Sequence, residues 1–319
     1  MKNATLISLS LAVSAGIASA QTVAVDKDIK AYEKTSGVSG KLNSIGSDTL
    51  NNLMGLWMEG FKKAYPNVKT EFEGKGSSTA PPSLIKGSSQ LGPMSRKMKS
   101  TEIDEFEKKF GYKPTPIPVA IDALAVYVHK DNPVKGLTLK QLDSIFSSTK
   151  KRGGSDNTKW GEAGLGDWAD KPISLYGRNS ASGTYGYFKK NVLNGGDYRD
   201  SVKEQPGSSA VVQGIAADLA GLGYSGIGYK TSGVRAIALG EDSSNLFDPT
   251  VTNCLSGDYP LARFLYVYVN KKPGQPLDML TKEFIKYVIA KEGQEIVVKD
   301  GYYPLPASVV DEQLGAISK

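Results

Sequence analysis

Two stretches of this chain carry the strongest strand signals in it. "PTPIPVAIDALAVYVHKDNP", residues 114–133, is rich in apolar and β-branched residues from Val119 to Val128, and "LARFLYVYVNKKP", residues 261–273, repeats the character from Leu261 to Val269. A strand of that length, with a proline-rich entry and an Asn-Pro exit, carries a chain from one lobe into another; a second brings it back. The chain is 319 residues long, more than one hydrophobic core usually organises. A discontinuous first lobe is therefore expected, residues 41–124 with 263–319, enclosing a second lobe at residues 125–262.

Between these strands the pattern alternates. "KLNSIGSDTL" reads as a short strand and a turn, and the apolar positions Leu50, Leu53, Met54, Trp57, Phe61 and Ala64 then recur at helical spacing until Pro66. "VKTEFEGKG" alternates as a strand, and "SSTAPPSLIKG" opens a helix with prolines in its first turn, where a missing amide hydrogen costs little. "LTLKQLDSIFS" is a helix capped by Thr138, "KPISLYGRNSASGTYGYFKKNVL" reads strand, glycine turn, helix, and the last fifty residues supply one closing helix and a tail. Alternating strands and helices predict an α/β fold with mostly parallel sheets.

Residues 1–20, with Lys2, an apolar run from Leu6 to Ile17 and Ala18-Ser19-Ala20, read as a cleaved secretory signal peptide. The cleavage point carries no cysteine for a lipid anchor, so a free periplasmic protein is expected. Residues 21–40 are polar and are expected to form an ill-ordered arm or a surface strap. The formal charge of +6 falls to +5 without Lys2, and the basic residues are interspersed with acids. That pattern argues for a solvated surface and against a nucleic-acid stripe. The single cysteine, Cys254, rules out an intrachain disulfide, and the single histidine, His129, sits at a strand end. Clustered His/Cys metal sites are excluded by count, and neither cofactor nor metal is expected.

Three loops share one design, in which a strand ends, glycine and hydroxyl residues follow and a helix begins: "IGSDTL" (45–50), "GKGSST" (74–79) and "NSASGT" (179–184). The first turn of a helix leaves backbone N–H groups unpaired and carries partial positive charge, so it holds an anion without a charged side chain. Each loop alone is ordinary capping. Three of them, with Arg178 preceding the last as a forked cationic donor, point to an oxyanion clamp.

"GSDTL", "GKGSSTAPPSLIKGSSQLGPMSR" and "GRNSASGTYGYF", in that order, resemble the periplasmic phosphate-binding proteins of ABC phosphate transporters. The resemblance implies the type II periplasmic binding fold: two α/β lobes, each a mostly parallel sheet flanked by helices, hinged by two crossover strands. It implies that Thr49 gives hydroxyl and amide, Leu50 its amide, and Ser77 similar donors, with Arg178, Ser182, Gly183 and Thr184 closing from the second lobe. The function implied is binding of inorganic phosphate by a monomer and delivery to a membrane permease, without catalysis. The family pattern carries a carboxylate where this chain has Ser95 and Arg96. Asp48 and Asp122 are the remaining candidates to accept the phosphate proton, and Arg96 is either a second anion ligand or a surface residue. Two other classes stay open: an exported phosphatase or hydrolase using Ser182 or Ser77, and a binder of another oxyanion such as sulfate.

Overall fold

The computed structural model describes residues 23–318, so the expected signal peptide lies outside the described residues. Residues 23–39 form no helix or strand, yet they are anchored as a strap. Ile29 and Val38 are buried, the Tyr32 hydroxyl donates to Glu283 at 2.7 Å and meets the Tyr65 hydroxyl at 2.6 Å, and Asp26 accepts from the Ala307 amide.

Strand β1 (Gly40–Gly46) leads through a 3-10 turn at Asp48–Leu50 into helix α1 (Asn51–Ala64). The face of α1 bearing Leu53, Met54, Trp57 and Phe61 is buried, as the helical spacing requires. Strand β2 (Val68–Gly74) returns parallel to β1, and a second 3-10 turn, Ser77–Thr79, feeds α2 (Ala80–Lys86) with Pro81 in its first turn. Strand β3 (Gly92–Met94) and α3 (Ser100–Phe110) precede the long strand β4 (Thr115–His129). Next come β5 (Gly136–Thr138), α4 (Leu139–Phe146), β6 (Ser174–Arg178), α5 (Gly183–Asn191), β7 (Lys203–Gln205), α6 (Ser208–Ala216), β8 (Gly221–Gly226), β9 (Val234–Ala236), β10 (Ala238–Gly240) and α7 (Val251–Ser256). The second long strand is β11 (Ala262–Val269).

The main sheet runs β3-β11-β4-β8-β6-β7, with β9 also on β4. Strand β4 is divided between partners: Thr115–Ala123 pairs with β11, and Leu124–Val128 pairs with β8. The sheets are mixed. Pairing is parallel between β1 and β2 and among β6, β7 and β8, and antiparallel wherever β4 or β11 takes part. A chain that leaves on one crossover strand and returns on the next must run them in opposite directions, so the antiparallel pairing falls at the centre. The register shifts between Leu265 and Tyr266, which face Ala120 and Pro118. Val119 is the extra residue, and its carbonyl accepts from the Gln294 side chain at 3.0 Å.

The expected closing helix is three: α8 (Met279–Ile289), α9 (Lys291–Lys299) and α10 (Ala307–Ser318). The first break is at Ala290, which is extended (φ −76°, ψ 173°). Here Gly293 packs so tightly that a Cβ would stand 2.2 Å from the Val288 carbonyl oxygen. Neither feature interrupts the apolar spacing, so the break is silent in the sequence.

Candidate functional site

The three hydroxyl-bearing loops meet. Ser47 caps the 3-10 turn, its Oγ accepting from the Thr49 amide at 3.2 Å and donating to Ser95 Oγ at 3.1 Å. Ser77 Oγ accepts from the Ser95 amide at 3.0 Å and lies 3.3 Å from Ser95 Oγ. From the other side, Ser182 caps α5 by accepting from the Thr184 and Tyr185 amides at 3.1 and 3.4 Å. Thr184 Oγ1 lies 3.0 Å from Thr49 Oγ1. The six hydroxyl-bearing residues Ser47, Thr49, Ser77, Ser95, Ser182 and Thr184 are all buried. A hydroxyl whose oxygen already accepts from a fixed N–H has its proton left to donate, so Ser47, Ser77 and Ser182 are polarised as donors.

Gly183 makes this approach possible, because a Cβ there would stand 2.2 Å from Ser77 Oγ and 2.6 Å from Ser95 Oγ. Gly76 does the same at the next contact. Its φ of +116° disfavours any side chain, and a Cβ would stand 2.5 Å from the Ala181 carbonyl oxygen. The amide of Ser78 donates to that carbonyl at 3.1 Å.

Beside the hydroxyls lies Arg178, at the end of β6 and 2% exposed. Its Nη1 donates to Ser208 Oγ at 2.7 Å and stands 3.0 Å from Asp48 Oδ2, while its Nε is buried without a partner among the described residues. Asp48 Oδ2 also accepts from both the amide and the hydroxyl of Ser208 at 2.8 Å. A carboxylate from the start of α1 thereby serves the first turn of α6, where partial positive charge stabilises it. Its Oδ1 makes no hydrogen bond within the described residues.

Asp122 is differently employed. It is fully buried on β4; Oδ1 accepts from the Ile227 amide at 3.0 Å, and Oδ2 accepts from Nε and Nη2 of Arg263 at 3.0 and 2.8 Å. The two residues are register partners on β4 and β11.

The structure thus brings together Asp48, Thr49, Ser77, Ser95, Arg178, Ser182, Gly183 and Thr184. Leu50 contributes a buried side chain to the core beneath, and the Thr49 amide is already held by Ser47. Arg96 is neither a surface residue nor free for a ligand: it is 8% exposed, both its Nη atoms donate to Glu102 at 2.7 Å, and Nη2 also reaches Ser78 Oγ. Ser77 and Ser182 have backbone amides rather than a base on their oxygens, and His129 accepts from the Asp131 amide at the far end of β4. Cys254 is buried, and burial with Asp122 nearby pushes its thiol up to about 12. Among the described residues, no group of three or more His, Cys, Asp or Glu side chains is placed to hold a metal ion.

Sequence reasoning missed Ser47, Ser208 and Arg263. The first two obey the helix-start logic already applied to their neighbours. Arg263 had a signal of its own, a solitary charge in an apolar strand, matched by the solitary Asp122 in the other.

The profile of the PBP superfamily domain matches residues 31–292. The phosphate-binding protein PstS of two strains of Pseudomonas aeruginosa is 56% identical over 306 residues, 95% of this chain and 95% of the relative. The chain belongs to the PstS family. A more distant PstS, from Staphylococcus haemolyticus, is 26% identical over 287 residues, 88% of this chain and 86% of its own. A phosphate ABC transporter substrate-binding protein from Clostridium perfringens, solved with bound phosphate, superposes with a TM-score of 0.71 at 26% identity, covering 84% of this chain and 100% of its own. The two-lobed PstS architecture is therefore that of this chain. No helix among the described residues is long and apolar enough to cross a membrane.

Proposed function

We propose that the chain is exported to the periplasm, closes on inorganic phosphate between its lobes and presents it to the membrane permease of an ABC importer. The observation that carries this reading is the convergence of donor-polarised hydroxyls from three helix starts on the same buried cleft as Arg178, whose Nε is unpartnered among the described residues. Neutral donors with one guanidinium neutralise a tetrahedral oxyanion without a fixed excess of charge, and the anion stays releasable. The lobes in this reading are residues 41–124 with 263–319, and residues 125–262.

Phosphate at neutral pH still carries a proton, and recognising that proton needs an acceptor. Asp48 is the better candidate. Its Oδ1 is uncommitted, whereas both oxygens of Asp122 are held by Arg263 and the Ile227 amide. Ser95, at the position where the family pattern has a carboxylate, sits among the hydroxyls and serves as donor or acceptor. Isothermal titration with phosphate and with sulfate, repeated across the second ionisation of phosphate, tests the reading. Phosphate is expected to bind far more tightly than sulfate, and equal affinity for the two would defeat the assignment of an acceptor to the site.

A further inference from the structure

We propose that Arg263 is a positioning residue of the anion site, acting through Thr184 and Ser95 and held for that task by Asp122. The inference rests on the phosphate reading above, but the observations behind it are separate. Arg263 is 7% exposed. Its Nε and Nη2 grip Asp122 Oδ2, its Nη1 donates to the Ser95 carbonyl at 2.7 Å, and Nη2 also donates to Thr184 Oγ1 at 3.0 Å. The guanidinium carbon stands 5.0 Å over the ring of Tyr187, one turn further along α5. One side chain on a crossover strand therefore touches the other crossover strand, the loop carrying Ser95, and the first turn of the helix that brings Thr184.

A neutral anchor would have a different chemical consequence. Guanidinium has donors only, so at Thr184 the hydroxyl oxygen must accept, and its proton is left for Thr49 Oγ1 or for an anion. Arg263 thus polarises Thr184 in the same sense as backbone amides polarise Ser47, Ser77 and Ser182. Asp122 balances the buried charge, so the guanidinium orients the site without adding a net charge to it. Because the bonds to Ser95 and Thr184 come from the two sides of the cleft, forming both requires the closed arrangement.

The test is a set of variants titrated with inorganic phosphate: Arg263→Gln, Arg263→Lys, Thr184→Ala, the Thr184→Ala/Arg263→Gln double variant, and Asp122→Asn/Arg263→Gln. The last removes both buried charges together, so no unpaired ion is left to unfold the hinge. Asp122→Asn/Arg263→Gln and Arg263→Gln are expected to bind phosphate about 10- to 100-fold more weakly, the worth of a charge-assisted hydrogen bond. Arg263→Lys, which keeps a cation beside Asp122 but cannot fork to Thr184 and Ser95, is expected to recover the melting temperature and not the affinity. Adding Arg263→Gln to Thr184→Ala is expected to cost clearly less than Arg263→Gln costs in the wild-type background, because one of the two groups through which Arg263 acts is already gone. Wild-type affinity in a folded Asp122→Asn/Arg263→Gln variant would overturn the proposal, as would losses that simply multiply in the Thr184→Ala/Arg263→Gln variant. Arg178→Ala serves as the control: if it too binds phosphate normally, the functional reading itself has failed, and not only the role of Arg263.

Discussion

Two carboxylate–guanidinium pairs lie close together in this molecule, and they are built to opposite specifications. Asp122 and Arg263 face each other across adjacent strands, and every oxygen of the one and every nitrogen of the other has a partner. Asp48 and Arg178 meet end-on through one nitrogen and one oxygen, between the turn before α1 and the end of β6. Among the described residues, Asp48, 21% exposed, has one oxygen uncommitted and Arg178 has a buried Nε with nothing to bond. The saturated pair is a fixture. The unsaturated one keeps capacity in reserve, and a buried donor without a partner is costly enough that an anion reaching it gains the difference. Ion pairs of similar length therefore differ in role according to what each leaves unsatisfied.

Four experiments probe this arrangement, from the largest effect to the smallest: two act on the unsaturated pair, one on the packing beside it and one on a carboxylate outside both pairs. Arg178→Ala, breaking the unsaturated pair, is expected to cost about 2 to 5 kcal/mol of phosphate binding, read by isothermal titration. Unchanged affinity would show that the reserve is not used for the anion. Gly183→Ala leaves both pairs intact but forces a methyl against Ser77 and Ser95; a loss of about 1 to 3 kcal/mol in affinity is expected, with little change in melting temperature if the lobes simply close less far. Asp48→Asn keeps an acceptor for Ser208 but removes the charge beside Arg178. It is expected to shrink the preference for phosphate over sulfate by about 1 to 2 kcal/mol, measured by competition.

The smallest effect concerns a carboxylate in neither pair. Burial raises Asp300 from 3.8 to about 6, against the opposing hydrogen bond from Asn52. The folded state therefore binds this proton more tightly than the unfolded chain, and the associated stability is complete below about pH 4 and lost as the pH rises to about 6. Because the carboxylate keeps some contact with solvent, the amount is about 1 kcal/mol or less. Thermal melts of Asp300→Asn should match wild type near the lower limit and exceed it above the upper one. Parallel curves at every pH would show that Asp300 titrates normally.

What the sequence disclosed and what it withheld divide along the same line. Helix starts are written in four or five consecutive residues, because capping is local chemistry; "GSDTL", "GKGSST" and "SGT" could be read as donors before any fold was known. Arg178 was legible because it sits beside one of them. The fixed pair was not, since Asp122 and Arg263 are separated by 141 positions and only the pairing of β4 with β11 makes them neighbours. The occupation of Arg96 by Glu102 was missed for a different reason. The two lie six residues apart, but across the start of α3, whose charged sequence has one fully buried residue, Phe106, and reads from outside as solvated surface. Which carboxylate has an oxygen to spare was not legible either, because composition does not record the hydrogen bonds a fold assigns.

The pairing of β4 with β11 also has a mechanical consequence. Two strands joined along eight register positions resist bending within the plane of their sheet and yield most readily in twist, the deformation that strands already carry. Such a joint behaves as a torsion bar rather than as two separate threads. Asp122 and Arg263 are pinned through it one register step before β4 leaves β11 for β8. Any twist of that bar would reach, through a side chain fixed to it, the hydroxyl of Thr184 at the other end of its reach.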